Sequence, residues 1–131
     1  MIIIDTSIWI EHLRNNQQFF SKIKELLEKR EILAVESIFG ELLQGVKNNV
    51  EKEIILNFWK HLPKENFEDI IIQAGEYSSQ NKLIDQGVGL IDAIILIHAI
   101  KSNSKIWTLD DKFLRVIPDG LKYTECTPIQ I

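Results

Sequence analysis

Four acidic residues, Asp5, Glu41, Asp92 and Asp110, fall where strand ends or early helix turns are expected, and together they could grip a divalent cation. Carboxylates are hard oxygen ligands that suit Mg2+ or Mn2+, ions that keep several waters and accept phosphate oxygens. One such ion lowers the pKa of a water and makes a nucleophile. A second, about 3.5–4 Å away, can stabilise the leaving oxygen of an in-line phosphodiester displacement. The acids would act mainly as ligands, and one could help deprotonate the water. No Ser-His-Asp or Cys-His arrangement has comparable support, and neither GxxxxGK[ST] nor GxGxxG occurs in the chain.

Each acid also has a plainer use. Asp5, Asp92 and Asp110 could simply cap the helices that follow them. Glu41 lies away from the apolar stripe at positions 38, 39, 42, 43 and 46, as a solvated surface glutamate would. Glu11, Glu36, Asp85 and Asp111 are also near candidate elements, so spacing alone does not select four acids from nineteen.

The elements that must position these side chains are legible as an alternation of short apolar runs and helical periods. Residues 1–4, 32–35 and 105–109 read as buried strands, with edge strands at 121–124 and 128–131. Helices are expected over 19–31, from a Ser37 cap to 47, over 50–61, over 67–85, over 91–102 and from the Asp110 region to 116. The 91–102 segment is apolar on nearly all sides, so it should be central, with His98 a satisfied core histidine. This alternation predicts an α/β domain with a mainly parallel central sheet. In such sheets ligands gather beyond the carboxyl ends of the strands, where Asp5 and Asp110 would emerge together. With no repeat or linker composition, residues 1–131 read as a single domain.

Four sequence blocks then resemble VapC-type PIN domains, in family order. Ile3 to Glu11 is similar to the family's opening strand, Asp-Thr-Ser and hydrophobic-Trp-Ile helix start. Glu41-Leu42-Leu43-Gln44-Gly45 resembles Glu-Leu-Leu-x-Gly. Gly89 to Ile95 resembles the Asp-Ala-hydrophobic-Ile helix start, and Thr108 to Phe113 resembles Thr-x-Asp-x-x-Phe. The resemblance implies a three-layer PIN-like fold with helices on both sheet faces and a metal-dependent ribonuclease. It assigns Asp5, Glu41, Asp92 and Asp110 to the metal site, with Mg2+ or Mn2+ as cofactor and Thr6 and Thr108 as supporting hydroxyls. It further implies a toxin of a toxin–antitoxin pair, a homodimer, and inhibition by a cognate antitoxin that inserts a segment near the site. Many family members carry a further acid where this chain has Lys112.

The net charge of −4 runs against a nucleic-acid binder, which is usually basic. The four candidate ligands alone carry four negative charges, and bound cations would invert the field there. Arg14, Lys47 and Lys112 follow the motif blocks closely and are the candidates for meeting substrate phosphates. The three tryptophans, Trp9, Trp59 and Trp107, sit in apolar patterns and read as core or dimer contacts. Phe19, Phe20 and Ile23 fit either a core helix or a partner surface. The single cysteine, Cys126, fits a reducing cytoplasm, the N-terminus lacks a signal-peptide pattern, and no stretch approaches the roughly 20 apolar residues that span a bilayer. A receiver-type phospho-acceptor domain would share the length and acidic rim, but Asp5 is followed by Thr6 and Ser7 rather than an acidic partner, and no Lys-Pro is present. A catalytically silent PIN-like module that binds RNA or protein is the rival that shares the fold.

Overall fold

The computed structural model describes residues 1–124. Strand β1 (Ile2–Ile4) is three buried isoleucines. It pairs in parallel with β2 (Lys105–Trp107), Ile3 lying opposite Ile106 and Ile4 opposite Trp107. Side chains buried on both faces of a parallel pair explain the unbroken apolar run. Isolated parallel bridges continue the ladder outward, from Ile2 to Ile32, from Ala34 to Lys64, and from Ile106 to Lys122. The lateral order is therefore 64, 32–34, β1, β2, 122, with every pairing parallel, as expected for an α/β PIN-like domain.

Two expected strands are reduced to these bridges. The Leu33 N–H donates to Ile2 O at 2.9 Å, while the Ala34 N–H turns the other way to Pro63 O at 2.9 Å, so successive residues serve different neighbours. Strand β2 ends at Trp107, short of the expected 109, because the Leu109 N–H is taken by the Ser7 hydroxyl at 3.1 Å. At 121–124 the ladder has one bridge, at Lys122. The expected strand at 128–131 and Cys126 lie outside the described residues.

Among the described residues there are seven α-helices, in order: α1 (Thr6–Leu13), α2 (Gln17–Glu28), α3 (Glu36–Gln44), α4 (Asn49–His61), α5 (Ile70–Gln80), α6 (Leu90–Ser102) and α7 (Asp111–Val116). Their ends follow local chemistry. Asn16 and Asn48 cap α2 and α4 by accepting N–H bonds at 3.2 and 2.9 Å. Helix α2 stops before the expected 31, where Arg30 takes a left-handed φ of 55°. Helix α5 is shorter than 67–85 because Asp69 and Lys82 take φ values of 57° and 52° at its two ends. Asn103, at φ 52°, closes α6 in the conformation Asn tolerates best after Gly. Ser37 is not the cap of α3: the helix starts one residue earlier, behind extended Val35, and the Ser37 hydroxyl is buried without a partner. Glu36 in the first turn supplies the negative charge that a helix N-terminus favours.

Helix α6 is the central one, with every residue from Ala93 to Ala99 buried, and it packs on α3, α5 and β2. Trp9 and Trp107 are core residues, Trp9 lying edge-on to Phe39 with centroids 5.7 Å apart and Trp107 lying 6.0 Å from Phe19. Trp59 is half-buried, with Lys64 Nζ 4.7 Å from its ring centroid. Phe19 and Ile23 belong to the core, and Phe20 stacks on His12. His98 is buried as expected, but it is not satisfied: its Nδ1 has no hydrogen-bond partner, and burial pushes its pKa below the usual histidine value despite nearby Glu65. No helix among the described residues is long and apolar enough to cross a membrane.

The packing yields a direct test. Ile95 is fully buried in α6 whereas Ile100 is 43 % exposed on the same helix. Ile95→Ala is expected to lose about 2–5 kcal/mol in urea unfolding. Ile100→Ala should stay within about 1 kcal/mol of wild type. Equal losses would contradict the central placement of α6.

Candidate active site

Asp5 is the last rung of the sheet. Its N–H donates to Trp107 O at 3.0 Å, and the next residue begins α1. Its carboxylate is 7 % exposed and does not cap that helix. Oδ2 instead accepts from the Thr108 hydroxyl at 2.7 Å and from the Ser7 hydroxyl at 3.3 Å. The Thr108 hydroxyl in turn accepts the Asp110 N–H at 3.1 Å. Asp110 is exposed, and its Oδ1 caps α7 by accepting the Lys112 and Phe113 N–H groups at 2.9 and 3.3 Å. The plainer reading thus holds for Asp110 and fails for Asp5.

Glu41 sits in the second turn of α3 and accepts a hydrogen bond from the Thr6 hydroxyl at 3.1 Å. That bond ties α3 to the first turn of α1. Asp92 is half-buried in the first turn of α6, whose cap is Gly89. Its carboxyl pKa is pushed up from 3.8 to about 6, first by burial and then by the negative charges of Asp5, Asp110 and Glu41. The charges of the other three predicted acids therefore all reach Asp92. Among the described residues, no three His, Cys, Asp or Glu side chains form a ready-made cation cage. The donor set is nonetheless all carboxylate oxygen, and its mutual repulsion is the kind a hard divalent cation relieves.

The supporting residues divide between the two sides of this rim. Thr6 serves Glu41 and Thr108 serves Asp5. Arg14 and Lys47 line a groove of about 160 Å³ that also contains Thr6, Glu41, Ile10 and Val46. Arg14 is largely exposed, with Glu11 3.8 Å away. Lys112 is on the Asp110 side, its stem lying over Gly87. A Cβ at Gly87 would stand 3.0 Å from Lys112 Cδ, and the Gly87 φ of +79° also favours glycine. Ser7 is the residue that sequence reasoning left out. The available signal was its place in Asp-Thr-Ser, directly after a strand and one residue beyond the threonine credited with support. A second cleft of about 410 Å³, with Ser37, Phe67, Ile94 and His98 among its walls, contains none of the four acids.

Residues 2–117 match the PIN domain family, and the chain belongs to it. It is similar to "Ribonuclease VapC32" of Mycobacterium tuberculosis (strain CDC 1551 / Oshkosh), 28% identical over 115 residues that make up 86% of each chain. The protein of the same name from strain ATCC 25618 / H37Rv matches to the same extent. Among solved structures, the fold resembles a chain of VapBC2 from Rickettsia felis bound to a DNA fragment from its promoter, with a TM-score of 0.68, 23% identity, and coverage of 93% of this chain and 96% of that one.

The raised pKa of Asp92 makes a prediction about the metal-free protein. Between pH 3.8 and about 6 the folded carboxyl holds a proton that the unfolded chain has released. The native state then binds more protons, so this group's contribution to stability falls as pH rises through that window. In EDTA, Asp92→Asn is expected to be more stable than wild type at neutral pH by about 1 kcal/mol, a figure discounted for the half-exposed carboxyl. The difference should shrink on acidification toward about pH 4. Identical urea midpoints at neutral pH would mean that neither burial nor the neighbouring acids penalise the charged Asp92 in the folded state.

Proposed function

We propose that this protein is an Mg2+- or Mn2+-dependent endoribonuclease, the toxin half of a type II toxin–antitoxin pair, built on the PIN domain that residues 2–117 match. The observation that carries this reading is the electrostatic convergence of Asp5, Glu41 and Asp110 on Asp92. The relatives named ribonuclease VapC32 support the substrate class, and the VapBC2 likeness supports the fold.

In this reading Asp5, Glu41, Asp92 and Asp110 hold the cation. A bound cation supplies Lewis-acid stabilisation of phosphoryl oxygens and a more acidic water. The protein's own residues do the positioning. Thr108 and Thr6 orient Asp5 and Glu41 through the hydrogen bonds described above. One of these carboxylates could also accept a proton from the attacking water. Water adds to phosphorus, the bridging P–O bond breaks, and the leaving oxygen takes up a proton. Arg14 and Lys47 on one side, and Lys112 on the other, attract the flanking phosphates of the RNA strand.

The groove beside Glu41 offers a cognate antitoxin segment apolar contacts at Ile10 and Val46 next to the cations Arg14 and Lys47. Exposed Ile71, Ile72 and Leu90 give a second copy an apolar surface for a homodimer. The working compartment is the cytoplasm.

Purified, antitoxin-free protein should cut single-stranded or loop RNA with Mg2+ or Mn2+ and stop when EDTA is added. Asp5→Asn and Asp92→Asn should lose at least about 100-fold in rate while remaining folded. Lys112→Ala should weaken RNA binding and reduce its salt dependence, by about one unit of slope or less. Folded aspartate variants that cut as fast as wild type would sink the assignment of these acids, and a wild type that cuts no RNA with Mg2+ or Mn2+ present would leave the chain a silent RNA- or protein-binding module.

A further inference from the structure

The two hydroxyls against Asp5 share a geometry with consequences for the ion it holds. Ser7 Oγ accepts the Leu109 N–H at 3.1 Å and donates to Asp5 Oδ2 at 3.3 Å. Thr108 Oγ1 accepts the Asp110 N–H at 3.1 Å and donates to the same Oδ2 at 2.7 Å. The hydroxyls stand 3.5 Å from each other. A hydroxyl has one proton to give. When both face Oδ2, the contact between Ser7 and Thr108 is the one without a proton. Two successive peptide N–H groups after β2 are thus relayed through two hydroxyls onto one carboxylate oxygen. No hydrogen bond to Oδ1 is made among the described residues, and Asp5 is nearly buried, so its carboxylate has little freedom to turn.

We propose that Ser7 is a positioning residue that acts with Thr108 to hold Asp5 as a one-oxygen ligand, and that this pair sets the site's preference for a small divalent cation over calcium. The inference rests on the metal-site reading above. Calcium takes six to eight oxygens and readily uses both oxygens of a carboxylate, whereas Mg2+ demands near-octahedral geometry and takes one oxygen per carboxylate with waters filling the rest. With Oδ2 engaged by two protons, the Asp5 contribution is limited to Oδ1, which disfavours the larger ion. Ser7 also ties the start of α1 to Leu109, the second residue after β2, so the Asp5 side chain and the turn bearing Asp110 are fixed by one group. Thr6, the neighbouring hydroxyl, is spent on Glu41 and cannot substitute.

The test uses the full chain as wild type, Ser7→Ala and Ser7→Thr, with two readouts that do not depend on turnover. Hydrogen exchange at the Leu109 amide reports the bridge without metal: exchange should speed up at least about 10-fold in Ser7→Ala and return toward wild type in Ser7→Thr. Binding of Mn2+ alone, by electron paramagnetic resonance, and its displacement by Ca2+ report the consequence. Ser7→Ala should bind Mn2+ about 10-fold or more weakly and be displaced by less Ca2+, with Ser7→Thr restoring both, the size expected for an outer partner of a metal ligand. If Ser7→Ala unfolds, Ser7→Cys, slightly larger and a weaker hydrogen-bond partner, replaces it and is read by Leu109 exchange without metal. Unchanged Leu109 exchange, or unchanged Mn2+ and Ca2+ competition in a folded variant, overturns the proposal. A wild type that binds no Mn2+ while Leu109 is protected overturns the metal reading itself and with it the cation preference, leaving the Ser7 bridge in place.

Discussion

Parallel pairing of Ile2–Ile4 with Lys105–Trp107 brings the chain's opening residues and a segment more than a hundred residues later to the same rim, pointing the same way. Everything chemical in the molecule depends on that register. It puts the Asp5 N–H on Trp107 O and lets the Thr108 hydroxyl reach the Asp5 carboxylate at 2.7 Å. A one-residue slip would turn the side chains of either strand to the opposite face. The buried isoleucines are what prevent it, because all three lose their packing if the register moves.

Helices then deliver the remaining acids, each constrained differently. Asp92 enters on α6, whose partly exposed first turn runs straight into the buried stretch from Ala93 to Ala99, and its own burial is the leading cause of its raised pKa. Glu41 enters on α3 from an exposed position and is held by one hydroxyl bond across to α1. Asp110 caps α7 with its carboxylate, and its charge still reaches Asp92. The resulting cluster is costly in the absence of a counter-ion, which is a common signature of a site whose geometry serves function at some expense of stability. An overall acidic chain can still attract a polyanion when cations bind at such a cluster, because the local field governs encounter at the site.

Much of the architecture is legible in residue order alone. Three consecutive isoleucines at the start, the all-round apolar 91–102 segment and the alternation of short apolar runs with helical periods dictate a parallel α/β arrangement with a central helix, since such runs are stable only when buried on all sides. The four motif blocks indicated the PIN family because their residue types and order are carried by the chain itself. Cap chemistry was less legible. Ser37 is a good cap by type, yet α3 begins before it, and Asp69, Arg30 and Lys82 stop helices in left-handed conformations that no pattern of apolar residues announces.

Only the tertiary structure decided which polar groups meet. Whether an aspartate after a strand caps the next helix or turns to a hydroxyl 103 residues away depends on the partner strand, not on its neighbours in sequence, and Asp5 and Asp110 resolve that choice in opposite ways. The same holds for Ser7, whose link to Leu109 spans 102 residues, and for His98, whose helix fixed its burial while the surrounding packing left its Nδ1 without a partner. Periodicity along a chain reports which face of an element is buried. It carries no information about which distant side chain that face will find there, because that is set by register and packing between elements.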